Sequence, residues 1–234
     1  MVSVHLRRGM AAGLLAGLLA GLFAFLVGEP VLDRAIALEE ASAGAHHEEV
    51  FSRPTQKIGL FFATGLYGVT VGGVFGIGYA FFRERLAAGS DFKRSIFLAG
   101  AIFVGAFLIP YLKYPANPPS VGDPSTIRER TLAYFTLVAL SLLAILLAWL
   151  AARTLRSRGV GASRRRLTVG AGLVVVVGVL FLLLPAAPSA DGFPSGTLWA
   201  FRLSSFGTQL AFWVGLGLLF GVLCERARRK GVTA

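Results

Sequence analysis

Six stretches of the chain contain no Asp, Glu, Lys or Arg: Gly9–Gly28, Ile58–Phe82, Ser95–Leu112, Thr131–Ala152, Leu167–Ala190 and Leu203–Cys224. At the chain's overall charged fraction of 15%, stretches of this combined length would carry ~20 charges, already fewer than in an average soluble domain. A helix that crosses ~30 Å of hydrocarbon needs ~20 apolar residues, so each stretch is the right length for one span. A membrane barrel is excluded because its strands alternate apolar and polar residues, whereas Val174–Val177 and Leu182–Leu184 are continuous. Helices are the remaining way to satisfy backbone groups in lipid. The sequence therefore predicts an all-α, polytopic transmembrane helix bundle in a single domain, with spans near 9–28, 58–82, 95–112, 131–152, 167–188 and 203–224. The chain's 234 residues then leave only short connections and no separate catalytic domain.

The charges outside the spans give an orientation. With the amino terminus inside, 16 of the 23 basic residues fall on inner segments, including Arg7, Arg8, Arg83, Arg94, Arg153 to Arg166 and Arg226 to Lys230. Nine of the 12 acids fall outside. Every connection obeys the positive-inside bias, which predicts both termini in the cytoplasm of a bacterial cell and the chain in its inner membrane. The net charge of +11 is thus a topology signal. Its expected partner is anionic inner-leaflet lipid and not nucleic acid. The first stretch resembles a signal peptide only in its Arg7-Arg8 flank; its apolar run exceeds the 7–15 residues usual for a signal, and it reads as a helix. The lone Cys224 excludes an internal disulfide and a thiolate cluster.

Within the spans, small residues carry the information. Gly9, Gly13, Gly17 and Gly21 recur every four residues, as do Gly68, Gly72 and Gly76. Lipid gives helices no hydrophobic reason to associate, so close approach over small residues takes that part. These stripes read either as internal packing or as a docking face for another membrane subunit. The Leu-rich, glycine-free fourth span, Leu137–Leu150, reads as lipid-facing.

Candidate chemistry lies on the outer side. The long connection 29–57 contains His46, His47, Glu48 and Glu49, and imidazole with carboxylate suits divalent cobalt, nickel and zinc. Glu29 closes the first span and precedes Pro30, which should hold it extended; it is a candidate entry ligand, with Arg53 and Gln56 as pairing partners ahead of the second span. Val31–Ala45 has the composition of a short surface helix. The connection 113–130 carries Pro115, Pro118, Pro119 and Pro124. Proline fixes φ, so Tyr114, Asn117 and Asp123 should stand on a rigid external loop.

The run from Lys113 to Gly122 with Thr126-Ile127 and Arg130-Thr131 after it, Glu29-Pro30 at the end of the first helix and Gln56 entering a Gly-rich second helix resemble the CbtA family of predicted cobalt transporter subunits, small bacterial membrane proteins associated with cobalamin regulation. The resemblance implies cobalt uptake and a companion, CbtB, with one span and a histidine-rich end. It implies no cofactor, with Co2+ bound only as substrate.

Together these readings describe a subunit that takes up a divalent cation, cobalt above all, through an acidic and histidine-bearing outer entry. The alternative is a non-transporting scaffold or substrate-binding subunit that docks a transporter module through its Gly/Ala faces. No G-x-x-x-x-G-K-[ST] run is present, so the energy must come from a gradient, the membrane potential or another subunit. An enzyme is excluded on this reading because His5, His46 and His47 all fall outside the charge-free spans.

Overall fold

The computed structural model describes residues 2–43, 51–86, 89–119, 121–187, 189–190, 192–229 and 231. Among them the regular elements are helices: α1 (Val2–Phe23), α2 (Glu29–Ala43), α3 (Arg53–Phe82), α4 (Asp91–Phe103), α5 (Ile109–Lys113), α6 (Ile127–Ser157), α7 (Ala162–Leu183) and α8 (Ser195–Arg229). Six helical stretches are long and apolar enough to cross a membrane: Val2–Ala41, Arg53–Phe82, Asp91–Lys113, Ile127–Ser157, Ala162–Leu183 and Ser195–Arg229. The predicted all-α, six-span architecture is therefore present.

The boundaries differ from the charge-free runs in instructive ways. The connection 29–57 is largely helical, since α2 fills it to Ala43 and α3 begins at Arg53. Likewise α6 starts at Ile127, inside the predicted loop 113–130. Helix α7 stops at Leu183 because Leu184, extended at φ −85° and ψ 152°, precedes Pro185, and a residue before proline disfavours the helical region.

Glu29 breaks that same rule. It is helical, at φ −57° and ψ −42°, not extended as Pro30 led us to expect. A π-helical turn, Ala24–Gly28, joins α1 to α2, and the Glu29 N–H donates to the Ala24 carbonyl five residues back. This wider turn relieves the crowding that a proline ring imposes on the preceding turn of a helix. The device recurs at Pro110, where Val104–Leu108 forms a π turn and the Ile109 N–H donates to the Val104 carbonyl.

The chain divides into two compact units, Met1–Gly100 with Asn117–Ser120 and Phe193–Ala234, and Ala101–Ala116 with Val121–Gly192. In the first, α1 is central. A Cβ on Gly9 would collide with the Gly72 carbonyl, one on Gly13 with the Gly68 carbonyl and one on Gly17 with the Thr64 carbonyl. The reverse holds for Gly68 against Gly13, Gly72 against Gly9 and Gly76 against the His5 carbonyl. The pairings descend along α3 as they ascend α1, so the helices are antiparallel and in backbone contact. The two glycine stripes face each other and leave no small-residue groove there for a partner. A second face of α1, Ala12, Ala16 and Ala20, is buried. Ala16 lies 3.4 Å from where a Cβ on Gly215 of α8 would stand. Helix α8 also meets α4, where the Ser95 hydroxyl donates to the Gly217 carbonyl at 2.7 Å.

In the second unit Gly105 of the π turn rests on Leu142 and Ile145 of α6. Lys113 Nζ donates to the Phe181 carbonyl of α7 at 2.7 Å, and the Tyr114 hydroxyl to the Pro185 carbonyl at 2.7 Å. The expectation that the fourth span faces lipid holds for only part of its surface: Leu143 and Leu147 are exposed, but Leu137, Ser141 and Ala144 are buried. The fully peripheral helix is α7, which buries none of its residues.

Candidate functional site

In the first unit the π turn brings Glu29 and Asp33, one helical turn apart on α2, against the first turn of α3. That turn starts cleanly because Ser52 is extended and Pro54 stands at its beginning, where no N–H is needed. Arg53 bridges both acids: Nη2 lies 2.7 Å from Glu29 Oε2 and 2.6 Å from Asp33 Oδ1. Its Nη1 donates to Gln56 Oε1 at 2.6 Å, and Gln56 in turn donates to the Phe51 carbonyl at 2.8 Å. Lys57 Nζ pairs with Asp33 Oδ2 at 2.9 Å and stands 4.0 Å from Glu29 Oε2. The Glu29 side chain is only 11% exposed, against 44% for Asp33. Two carboxylates thus meet two cations in a closed, neutral network in which Glu29 is the most sheltered member. Chemically it is a pair of oxygen-donor groups already occupied by internal cations.

Asn117 belongs to the first unit, where its Oδ1 accepts from Arg202 Nη2 at 2.9 Å. Tyr114 and Asp123 fall in the second. There they line a cavity of about 370 Å³ with Thr126, Glu129, Arg130 and Ser189. The loop that places Asp123 is held by its own backbone: Oδ1 accepts the Ser125 N–H at 2.8 Å, and the Asp123 carbonyl accepts the Thr126 hydroxyl at 2.8 Å and Arg130 Nη2 at 3.1 Å. Gly122, at φ 100°, turns the chain where Arg130 lies across it, a conformation that favours glycine. The Ser125 N–H holds the Asp123 carboxyl below its ordinary value, with Arg130 acting in the same direction, and burial raises the Tyr114 phenol. The cavity therefore keeps the Asp123 charge throughout the neutral and mildly acidic range.

His46, His47, Glu48 and Glu49 lie outside the described residues. Among the described residues no three His, Cys, Asp or Glu side chains are grouped to hold a metal. Gly13, Gly17, Gly21, Gly68, Gly72 and Gly76 serve the α1–α3 contact.

A polar cluster at the other end of the first unit went unread in the sequence. His5, Tyr79 and Asp91 are 3%, 0% and 8% exposed. The Tyr79 hydroxyl donates to Asp91 Oδ1 at 2.7 Å, and the His5 and Tyr79 rings stand 5.6 Å apart. Charge-free runs placed His5 and Asp91 outside the spans, but α1 begins at Val2 and α4 at Asp91. The available signal was periodicity: His5 precedes Gly9 by four residues, and Tyr79 and Arg83 follow Gly76 by three and seven, spacings that stay on one helix face.

No curated protein and no solved structure matches this chain. The CbtA family, described as "Probable cobalt transporter subunit (CbtA)", matches residues 3–225, nearly the whole length, helices α6 to α8 included. Six apolar helices and a family of transporter subunits make this a multi-pass membrane protein that works with other subunits. The chain belongs to the CbtA family.

Proposed function

We propose that the chain is the membrane-embedded subunit through which a divalent cation, cobalt above all, is taken into the cell across the inner membrane of a bacterium, its six spans acting as one domain with both termini inside. Capture begins at His46, His47, Glu48 and Glu49 on the outer connection and at the Asp123 cavity. Entry is controlled at Glu29. The observation that carries this reading is the charge balance there: Arg53 and Lys57 together supply two positive charges to Glu29 and Asp33. One divalent ion supplies the same two. Exchange of the two side-chain cations for one metal leaves the site neutral, whereas a monovalent ion leaves it one charge short. In a partly desolvated site that difference is large. Gln56 offers the released Arg53 a resting partner. Co2+ is the substrate, the membrane potential or a further subunit drives it, and a small CbtB-like protein is the natural companion.

The test is reconstitution of the purified chain in liposomes under an inside-negative potential, with entry of Co2+ read by an internal indicator. Potential-driven entry is expected, and His46→Ala/His47→Ala should lower the rate at micromolar Co2+ by about tenfold or more, within the ~10–10³ range over which a site that concentrates its ion raises the on-rate. If no divalent ion crosses until a second protein is added, the chain is an accessory and not the conduit.

Orientation is testable with thiols. Cys224 is 3% exposed, so the native chain is a quiet background. A membrane-impermeant maleimide applied from outside should modify Ser125→Cys and leave Arg226→Cys untouched. The opposite pattern would invert the topology.

A further inference from the structure

We propose that the end of the first unit formed by the starts of α1 and α4 and the ends of α3 and α8 is a binding site for the phosphate group of an anionic phospholipid. Four arginines gather there, three of them around one carboxylate. Arg83, Arg94 and Arg228 stand near Asp91, and Arg8 and Arg83 near Cys224. Asp91 is a single carboxylate among them, and its Oδ1 already accepts from the Tyr79 hydroxyl at 2.7 Å. What remains for the arginines is long: Arg94 Nη1 stands 3.4 Å from Asp91 Oδ1, and Arg83 Nη1 stands 3.5 Å from His5 Nε2. The Nε atoms of Arg83 and Arg94 are buried with no hydrogen-bond partner.

Buried guanidinium donors without acceptors are costly, and native proteins satisfy nearly all such groups. A partner suited to two neighbouring guanidinium groups is anionic, offers more than one acceptor oxygen and comes from outside the chain. A phosphate fits, since its non-bridging oxygens match the guanidinium fork. The place favours a lipid over a soluble phosphate. His5 and Glu29 lie 24 residues apart on one continuous helical stretch, which is ~36 Å of rise, so the arginines lie one membrane thickness from the outer network. One turn from Arg94 on α4, Phe97 is 56% exposed, an apolar surface on which an acyl chain can lie.

The test uses delipidated wild-type protein in neutral detergent and native mass spectrometry with phosphatidylglycerol, phosphatidylcholine or inorganic phosphate. Wild type should retain phosphatidylglycerol over phosphatidylcholine. Arg83→Gln/Arg94→Gln should weaken that retention about tenfold, or ~1.4 kcal/mol, while Arg164→Gln/Arg166→Gln at the start of α7 leaves it unchanged. Arg83→Lys/Arg94→Lys keeps both charges without the fork and should fall between them, which separates loss of the site from loss of the fold. Equal retention of the two lipids by wild type, or full retention by the Gln pair, would overturn the proposal. Thermal stabilisation by inorganic phosphate without retention of phosphatidylglycerol would assign the site to a soluble phosphate and overturn its lipid identity.

Discussion

Gly72→Ala should lower the melting temperature of the purified protein sharply, whereas Gly78→Ala, six residues further along α3, should leave it unchanged or raise it. The two substitutions are the same chemically and share a helix. They differ in what the new methyl meets: at Gly72 it would be driven into the Gly9 carbonyl, and at Gly78 nothing stands within 4 Å. An exposed Gly to Ala change in a helix is worth up to ~1 kcal/mol in favour of alanine. Overpacking a tight contact costs ~1–3 kcal/mol, and here both sides are backbone, which cannot rotate aside as a side chain does. Gly13→Val should go further and prevent accumulation of folded protein, since Gly13 meets Gly68 and Gly72 together. Melting curves in detergent with the Gly78 variant as reference decide the matter. If Gly72→Ala and Gly78→Ala melt together, α1 and α3 are not in backbone contact.

Glu29→Gln should reduce Co2+ flux by at least ~tenfold, and Arg53→Gln should tighten Co2+ binding at the outer end by a similar factor. On the proposed function Arg53 is the competitor of the metal, and it holds both acids at 2.7 Å and 2.6 Å. Its removal leaves two half-sheltered carboxylates without their main partner, a situation that costs ~3–5 kcal/mol when such a pair is buried and that a divalent ion relieves. Lys57→Gln should do less, because its close contact is with the exposed Asp33 and pairs of that kind are worth ~0–1 kcal/mol. Isothermal titration of Co2+ into the three variants, with flux measured in parallel, separates competition from transport. Wild-type flux in Glu29→Gln would remove Glu29 from the path. Tighter binding without altered flux would make the network a binding site that does not lead inward.

Much of the architecture was legible because lipid enforces it. Long charge-free runs name the spans, and glycines four apart name the face on which two helices can touch, since no other residue allows backbone contact. Glu29, Arg53 and Gln56 were legible as a group because each stands at a span end on the same side. The remainder was hidden for two physical reasons. A charge was read as the edge of a span, yet Asp91 lies buried at the start of α4 because Tyr79 supplies its hydrogen bond from another helix, and that contact has no trace within α4's own sequence. Pro30 was read as closing the first helix, yet it is absorbed by a π turn, as Pro110 is by another. The pattern of side chains does not encode that turn; it depends on which carbonyl an N–H selects. Asn117 and Asp123, six residues apart in one proline-rich run, fall in different units, which spacing alone could not reveal.

The π turn before Pro30 also sets the angular phase of everything beyond it. Gly21 and Glu29 are eight residues apart, and in an unbroken α-helix eight steps of ~100° leave the second side chain ~80° away from the first. The turn absorbs one residue, so the pair behaves as if seven apart and the mismatch falls to ~20°. Glu29 is thereby returned to the side of the helix on which Gly21 meets Thr64 and Phe61 of α3. One surplus peptide unit thus lets a single rod pack by glycine along most of its length and still aim a carboxylate at the same neighbour at its end.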